Sequence, residues 1–208
     1  GDDDRDDNVD SGCFANWTTL EKVELYGDTE SIGDYAFKGC EHLTSVTVPD
    51  TVQELGLIPF TGCPELDYVN FQGSDYFTCD NSIIYQLDSA GRKEKIIEYL
   101  EGRASGSVTA SETKGVKEIA EEAFKDTKVA FADFSDSEIE VVPERAFQNC
   151  EKLIQVILPN SVKTVLPEAF NMCPNLMRIT VPGMYTNFRS TAVDTVTDPD
   201  ADPETKRP

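Results

Sequence analysis

Six phenylalanines, Phe14, Phe37, Phe60, Phe124, Phe147 and Phe170, follow one another at intervals of 23, 23, 64, 23 and 23 residues. Five places before each stands an apolar residue, giving a second column of Val9, Ile32, Leu55, Ile119, Val142 and Val165. A chain with two columns returning at one interval has little freedom of fold. Each unit is too short to enclose its own apolar face, so like units must cover one another, and stacking them along one axis makes a solenoid. Within a unit, a run such as Leu43, Val46, Val48 ends in period-two alternation, which predicts a short strand with one buried face. Pro49, Pro159 and Pro182 follow that strand in three repeats and end its pairing, because proline brings no N–H to a ladder. The stretch Gly33–Gly39 and its equivalents predict a short helical or 3-10 turn. A further apolar residue before the second column (Val52, Val116, Ile139, Val162) predicts a second short strand on the opposite side of the coil. The expected fold class is a β-rich α/β solenoid: a right-handed stack of 23-residue coils with short strands and short helical turns, plus an inserted β-hairpin.

The long third interval holds that hairpin. Ile83–Leu87 and Ile96–Leu100 are β-rich runs on either side of Asp88-Ser89-Ala90-Gly91-Arg92, a polar glycine-containing turn. Gly102 and Gly106 mark a loop leading back to the repeat. The expectation is one irregular coil plus a protruding ribbon, with the solenoid undivided. The domain map is then an acidic leader at residues 1–8, a solenoid at 9–182 with its hairpin insertion at about 74–115, and a cap and acidic tail at 183–208. In that last segment Met184, Tyr185, Phe188 and Val193 are expected to fold over the open edge of the final coil.

Chemistry is sparse. Cys40, Cys63, Cys150 and Cys173 each fall three residues after a repeat phenylalanine, so they read as reduced, structural thiols, with stacked neighbours close enough that a bridge stays open as an alternative. Cys13 and Cys79 lack metal-ligand spacing, and the aspartates of the leader lack the glycine and terminal glutamate of a calcium loop. No metal and no cofactor are expected. His42, the single histidine, stands two residues after Cys40 on the alternate side, which does not make a nucleophile and base pair. Carboxylate pairs are abundant but have no cleft to act in. A net charge of −21 repels phosphate backbones and anionic headgroups, so nucleic acid is excluded as a partner. No apolar run reaches the roughly 20 residues of a membrane-spanning helix, which excludes membrane insertion.

The composite pattern Ile32-Gly33, Ala36-Phe37, Cys40, Leu43, Val46, Val48-Pro49 resembles the BspA-like leucine-rich repeat proteins over six repeats, roughly residues 9–182. Asn81-Ser82-Ile83-Ile84-Tyr85 and Lys95-Ile96-Ile97-Glu98-Tyr99 are similar to the irregular hairpin unit placed between such repeats. The chain departs from the family pattern in its few repeats, in Cys13 where the pattern has alanine, and in its acidic tail. The resemblance implies a secreted or cell-surface bacterial protein with an adhesion or host-matrix binding role; the partner expected is a protein or glycan, and the chain itself is expected to be a monomer. It carries over no catalytic residue, since the shared positions are packing positions, and no enzyme is expected.

The outward positions of the repeated strand are the informative ones. One row reads Lys22, Ser45, Tyr68, Phe131, Gln155, Arg178 and the next Glu24, Thr47, Asn70, Asp133, Ile157, Thr180. Tyr68, Phe131 and Ile157 are larger and more apolar than a solvated strand requires, which marks either an interaction face or a surface covered by the hairpin or a neighbouring loop. The candidate partner-binding residues are Tyr68, Asn70, Phe131, Asp133, Gln155, Ile157 and Arg178. Two functions compete: a binding module working through this face, and a structural spacer that presents another domain.

Overall fold

The structure is a computed structural model that describes residues 8–181 and the backbone of Asn187–Phe188. The leader apart from Asn8, Pro182, the cap residues Met184, Tyr185 and Val193, and the tail at 194–208 lie outside the described residues.

The first three coils give β1 (Lys22–Glu24), β2 (Ser31–Ile32), β3 (Ser45–Val48), β4 (Glu54–Leu55) and β5 (Val69–Phe71). The insertion gives β6 (Phe77–Asp80), β7 (Ile83–Leu87), β8 (Lys93–Tyr99), β9 (Ser107–Val108) and α1 (Ala110–Thr113). The last three coils give β10 (Glu118–Ile119), β11 (Phe131–Asp133), β12 (Val141–Val142), β13 (Gln155–Ile157), β14 (Thr164–Val165), β15 (Arg178–Thr180) and β16 (Asn187–Phe188). On the front, β1, β3 and β5 form one parallel sheet, while β9, β11, β13 and β15 take part in another. On the back, Val9 bridges to Ile32, β2 pairs with β4, and β12, β14 and β16 form a parallel ladder. A strand is present on each side of the coil, but the back one falls on the second-column residues Ile32, Leu55, Ile119, Val142 and Val165, and Val52, Val116, Ile139 and Val162 are buried just before it. The stack is a β-solenoid of 23-residue coils with almost no helix.

Like residues meet between the sheets. The ring centroids of Phe14 and Phe37 lie 5.3 Å apart, those of Phe37 and Phe60 5.5 Å, those of Phe124 and Phe147 4.7 Å, and those of Phe147 and Phe170 5.1 Å, each pair stacked within 11° of parallel. Offset stacks at such spacing add about 0.5–1.5 kcal/mol beyond the area they bury. The irregular coil keeps the column going with Tyr99. Its N–H donates to the Ala123 carbonyl, as Phe14, Phe37, Phe124 and Phe147 do to the coil ahead, and its ring sits 5.6 Å from Phe124.

The segment expected as a helical turn is different. In every repeat the residues two before and two after the phenylalanine are left-handed: Gly12 and Asn16, Tyr35 and Gly39, Ile58 and Gly62, Glu122 and Asp126, Arg145 and Asn149, Glu168 and Met172. Left-handed residues four apart stop a helix after one turn. They aim alternate N–H groups at the next coil instead: Tyr35 donates to Leu57 at 3.0 Å, Phe37 to Pro59 at 2.9 Å and Gly39 to Thr61 at 2.9 Å. A side chain in this conformation costs on the order of 1 kcal/mol, which intercoil hydrogen bonds of about 1 kcal/mol each offset. Met172 is left-handed and 63% exposed, and so has no packing to lose. Met172→Asn, which installs the residue found at the same place in the preceding coil, is expected to stabilise the protein by about 1 kcal/mol, read as a rise in the urea midpoint.

The ribbon does not protrude. Ile83, Ile84, Tyr85, Ile96, Tyr99 and Leu100 are all buried, and the β7–β8 hairpin lies inside the stack. Its two faces serve two cores. Ile84, Ile97 and Leu100 pack with the first three coils, and Ile83, Tyr85, Ile96 and Tyr99 with the last three. One edge of β8 pairs antiparallel with β7 and the other pairs parallel with β10, in the register Ile96 to Ile119, so the insertion supplies the back strand of a missing coil.

The thiols remain free. Each cysteine of the repeat position donates to the phenylalanine carbonyl of the coil before it: Cys40 to Phe14 and Cys63 to Phe37 at 3.2 Å, Cys150 to Phe124 and Cys173 to Phe147 at 2.9 Å. Thr127 stands at this place in the fourth coil, and its hydroxyl bonds the Phe124 carbonyl at 2.6 Å. Thr127 thus uses its own coil's carbonyl, and five of the six repeats hold a small donor at this position, with Trp17 in the first.

Candidate functional site

The front strands place the outward rows as their alternation requires. Lys22 aligns with Ser45 and Glu24 with Thr47, while Val46 aligns with Val69, which puts Tyr68 beside Ser45 and Asn70 beside Thr47. In the second sheet Ser107, Phe131, Gln155 and Arg178 form one row, and Asp133, Ile157 and Thr180 the next. Tyr68 is 53% exposed and Phe131 46%, so neither the hairpin nor a loop covers them. Asn70 and Arg178 are exposed, and Asp133, Gln155 and Ile157 half-buried, with one Asp133 oxygen accepting the Ser135 N–H at 2.9 Å.

The rows are not one continuous ladder. β5 and β9 do not pair, and the front sheet is interrupted between Tyr68 and Phe131. Of the candidate residues, Phe131, Asp133, Gln155, Ile157 and Arg178 share one sheet, and Tyr68 and Asn70 lie on the other.

Sequence reasoning missed the row one residue nearer the strand start. It reads Glu21, Thr44 and Asp67 in the first three coils and Ala130, Ile154 and Met177 in the last three. Ile154 donates its N–H to Ala130 and Met177 to Ile154, which makes them neighbours. Met177 is 78% exposed and Ile154 half-buried. With Phe131 and Ile157 they form an apolar patch on the second half of the face, a switch from polar to apolar already visible in the residue types. Charge balances in the two outward rows: Lys22 and Glu24 pair at 2.5 Å, and Asp133 and Arg178 are the other charged residues. The hydrogen bond from Lys22 holds the Glu24 carboxyl below its usual range.

The back ladder has a different surface. Lys117 pairs with Glu94 at 3.2 Å, Lys163 with Glu140 at 2.5 Å and Lys95 with Glu118 at 3.6 Å, all across neighbouring strands. Exposed pairs like these contribute a few tenths of a kcal/mol and help set register. Beside them lies an open groove of about 520 Å³ lined by Lys117, Glu118, Ile119, Glu138, Glu140, Val141 and Pro143. His42 faces Glu65 at 3.2 Å, while the Cys40 thiol turns inward to Phe14, so this histidine and cysteine do not meet. Among the described residues no cluster of three or more histidines, cysteines or carboxylates is arranged to hold a metal.

The BspA type leucine rich repeat region matches this chain in six copies, over residues 7–91 and 105–197. A leucine rich cell surface protein from Faecalibacterium prausnitzii A2-165 superposes with a TM-score of 0.57 at 20% identity, covering 82% of this chain and 56% of that one. The pneumococcal vaccine antigen PcpA gives 0.64 at 21% identity, with 84% of this chain and 50% of that one covered. A leucine-rich repeat protein from Eubacterium ventriosum gives 0.51 at 14% identity, with 79% and 55% covered. The chain thus spans about half the length of these structures, and the likeness is one of fold. No curated protein matches it. Six repeats with inward phenylalanines, thiols donating to phenylalanine carbonyls and a front sheet of short parallel strands place the chain in the BspA-type leucine-rich repeat family.

Proposed function

We propose that this chain is a secreted or cell-surface binding module that holds a protein or glycan partner through its front sheet and performs no catalysis of its own. The observation that carries the reading is the exposure of Tyr68 and Phe131, large rings on outward strand positions, with Ile154, Ile157 and Met177 extending the apolar surface beside Phe131. Aromatic side chains and methionine are enriched at the centres of interfaces, where they give large contact area at modest entropic cost. Outward rows whose charges cancel, on a chain of net charge −21, suit a partner that docks by apolar contact and hydrogen bonds. Family membership supports the surface setting, as does a solved relative described as a cell surface protein. Among the described residues no helix is long and apolar enough to cross a membrane. Asn70, Asp133, Gln155 and Arg178 supply the polar contacts around the rings.

The test compares the parent protein with a Tyr68→Ser, Phe131→Ser double variant. Each is immobilised and challenged with host-matrix protein and glycan fractions, and the melting temperature is measured alongside. Retention is expected to fall at least tenfold with the melting temperature unchanged, since about 2 kcal/mol or more rests on such anchors. Equal retention by both proteins favours the spacer reading. Loss of retention together with a large drop in melting temperature makes the two rings core residues.

A further inference from the structure

The joints between coils follow one rule, with one exception. At the regular joints the N–H of the repeat phenylalanine and the N–H two residues later donate to backbone carbonyls of the coil ahead, as Phe124 does to Ala146, Asp126 to Gln148, Phe147 to Ala169 and Asn149 to Asn171. Where the third coil meets the hairpin coil, these donors find carboxylates instead. The Phe60 N–H donates to Glu98 Oε2 at 3.1 Å and the Gly62 N–H to Glu101 Oε1 at 2.6 Å. The front sheet is interrupted at this same joint, and the apolar core divides there into its two clusters. What remains of the front connection includes the Gly102 N–H on the Leu66 carbonyl at 3.0 Å, an approach so close that a Cβ on Gly102 would stand 2.4 Å from the Leu66 carbonyl carbon. Outside, Tyr35 reaches across the joint to Glu122 at 2.9 Å.

We propose that this joint is a proton-controlled latch: neutral Glu98, with Glu101 beside it on the Gly62 N–H, holds the two stacks in one register, and ionisation of Glu98 releases the joint. A neutral carboxyl accepts an amide hydrogen bond as a backbone carbonyl does, and it does so without placing a charge in the core. The groups that face the pair come from three elements. Cys63 of the third coil and Cys79 of β6 lie in the electrostatic reach of Glu98, and Glu101 follows it on its own segment. Glu101 is acted on by Lys128 and Asp126 of the fourth coil. Burial pushes the Glu98 carboxyl well above its usual range and outweighs the lowering pull of the Phe60 N–H, with the charge of Glu101 adding a smaller rise; burial likewise raises Glu101 against the Gly62 N–H. A carboxyl whose pKa is higher in the closed joint than in the open one gives stability that is complete below the ordinary carboxylate range. That stability drains away as pH rises through the closed-state value. On the binding reading above, the latch would also set the relation of Tyr68, before the joint, to Phe131, beyond it.

Hydrogen exchange of single amides in the whole chain tests this, with protection factors taken from about pH 5 to about pH 9 and corrected for intrinsic rates. The protection of Phe60 is expected to fall by up to about tenfold per pH unit while Phe147 and Asn149 stay flat. Glu98→Gln is expected to make Phe60 flat as well, and Glu101→Gln to move its decline to lower pH by removing the neighbouring charge. A flat Phe60 in the parent protein, a decline shared with Phe147, or a decline that survives Glu98→Gln overturns the proposal. The comparison of Phe60 with Phe147 in the parent decides the matter even if a variant fails to fold. Partner binding enters nowhere, so the outcome is independent of the proposed function.

Discussion

Phe147→Ala is expected to lower the unfolding free energy by about 3–5 kcal/mol, a large share of what a domain of this size has to lose. The ring is fully buried, stacked on Phe124 at 4.7 Å and Phe170 at 5.1 Å, and meets Phe134 edge-on at 6.0 Å. Removing it takes away the transfer free energy of the side chain and leaves a cavity between coils whose backbones are tied by Phe147 to Ala169 and Phe124 to Ala146 hydrogen bonds. Those ties keep the coils from collapsing into the space, which puts the loss toward the upper part of the range. The urea midpoint at constant slope is the measurement, and an unchanged midpoint would show that this column does not hold the stack together.

A loss of similar size is expected from Arg103→Ala, about 3–5 kcal/mol near neutral pH. Arg103 is half-buried in the loop after β8, its side chain 8% exposed. It donates to the carbonyls of Asn81, of Ser105 at 3.1 Å and of Ser107 at 2.6 Å, and pairs with Glu112 at 2.8 Å. Its guanidinium lies 5.5 Å from the Tyr99 ring centre. Glu112 is held in turn by the Thr109 N–H at 2.7 Å and the Thr109 hydroxyl at 2.8 Å, and the Tyr85 hydroxyl donates to its carbonyl. Without the arginine the carboxylate stays buried and unpaired. Burial alone would raise the Glu112 carboxyl, but the hydrogen bonds from Thr109 and Arg103 outweigh it and hold the group below its usual range. A depressed carboxyl gives stability that is present above its unfolded value and is lost as pH falls through the folded value. The difference between parent and Arg103→Ala midpoints should therefore shrink in acid, a sign opposite to that of Glu98. A gap that stays constant or widens as pH falls would count against the pair.

The stack and the two columns were legible because stacking leaves equal residues at equal intervals. Tyr99 was not, although it belongs to the aromatic column, because the insertion moves it off the 23-residue interval. The buried hairpin did carry a signal: Ile83-Ile84-Tyr85 and Ile96-Ile97 are consecutive apolar residues, and a strand with one wet face would alternate. The left-handed positions hide better. Gly39 and Asn149 declare that backbone, but Tyr35, Glu122, Arg145 and Met172 adopt it under tertiary constraint, against their own preference. On the candidate face, alternation placed Tyr68 and Phe131 outward correctly. Alternation within strands says nothing about pairing between them, so the interruption between β5 and β9 was invisible, as was the use of Glu98 and Glu101 where carbonyls were expected.

The repeated joint also determines how such a chain can change length. Where Phe124 meets Ala146 and Phe147 meets Ala169 the donors and acceptors are interchangeable, so one whole unit can be gained or lost there and the cut ends still match. Beside Glu98 and Glu101 no such edit closes, because the mating surface on that side occurs once. Duplication or loss of whole units is thereby expected to close on either flank of the hairpin and not across it.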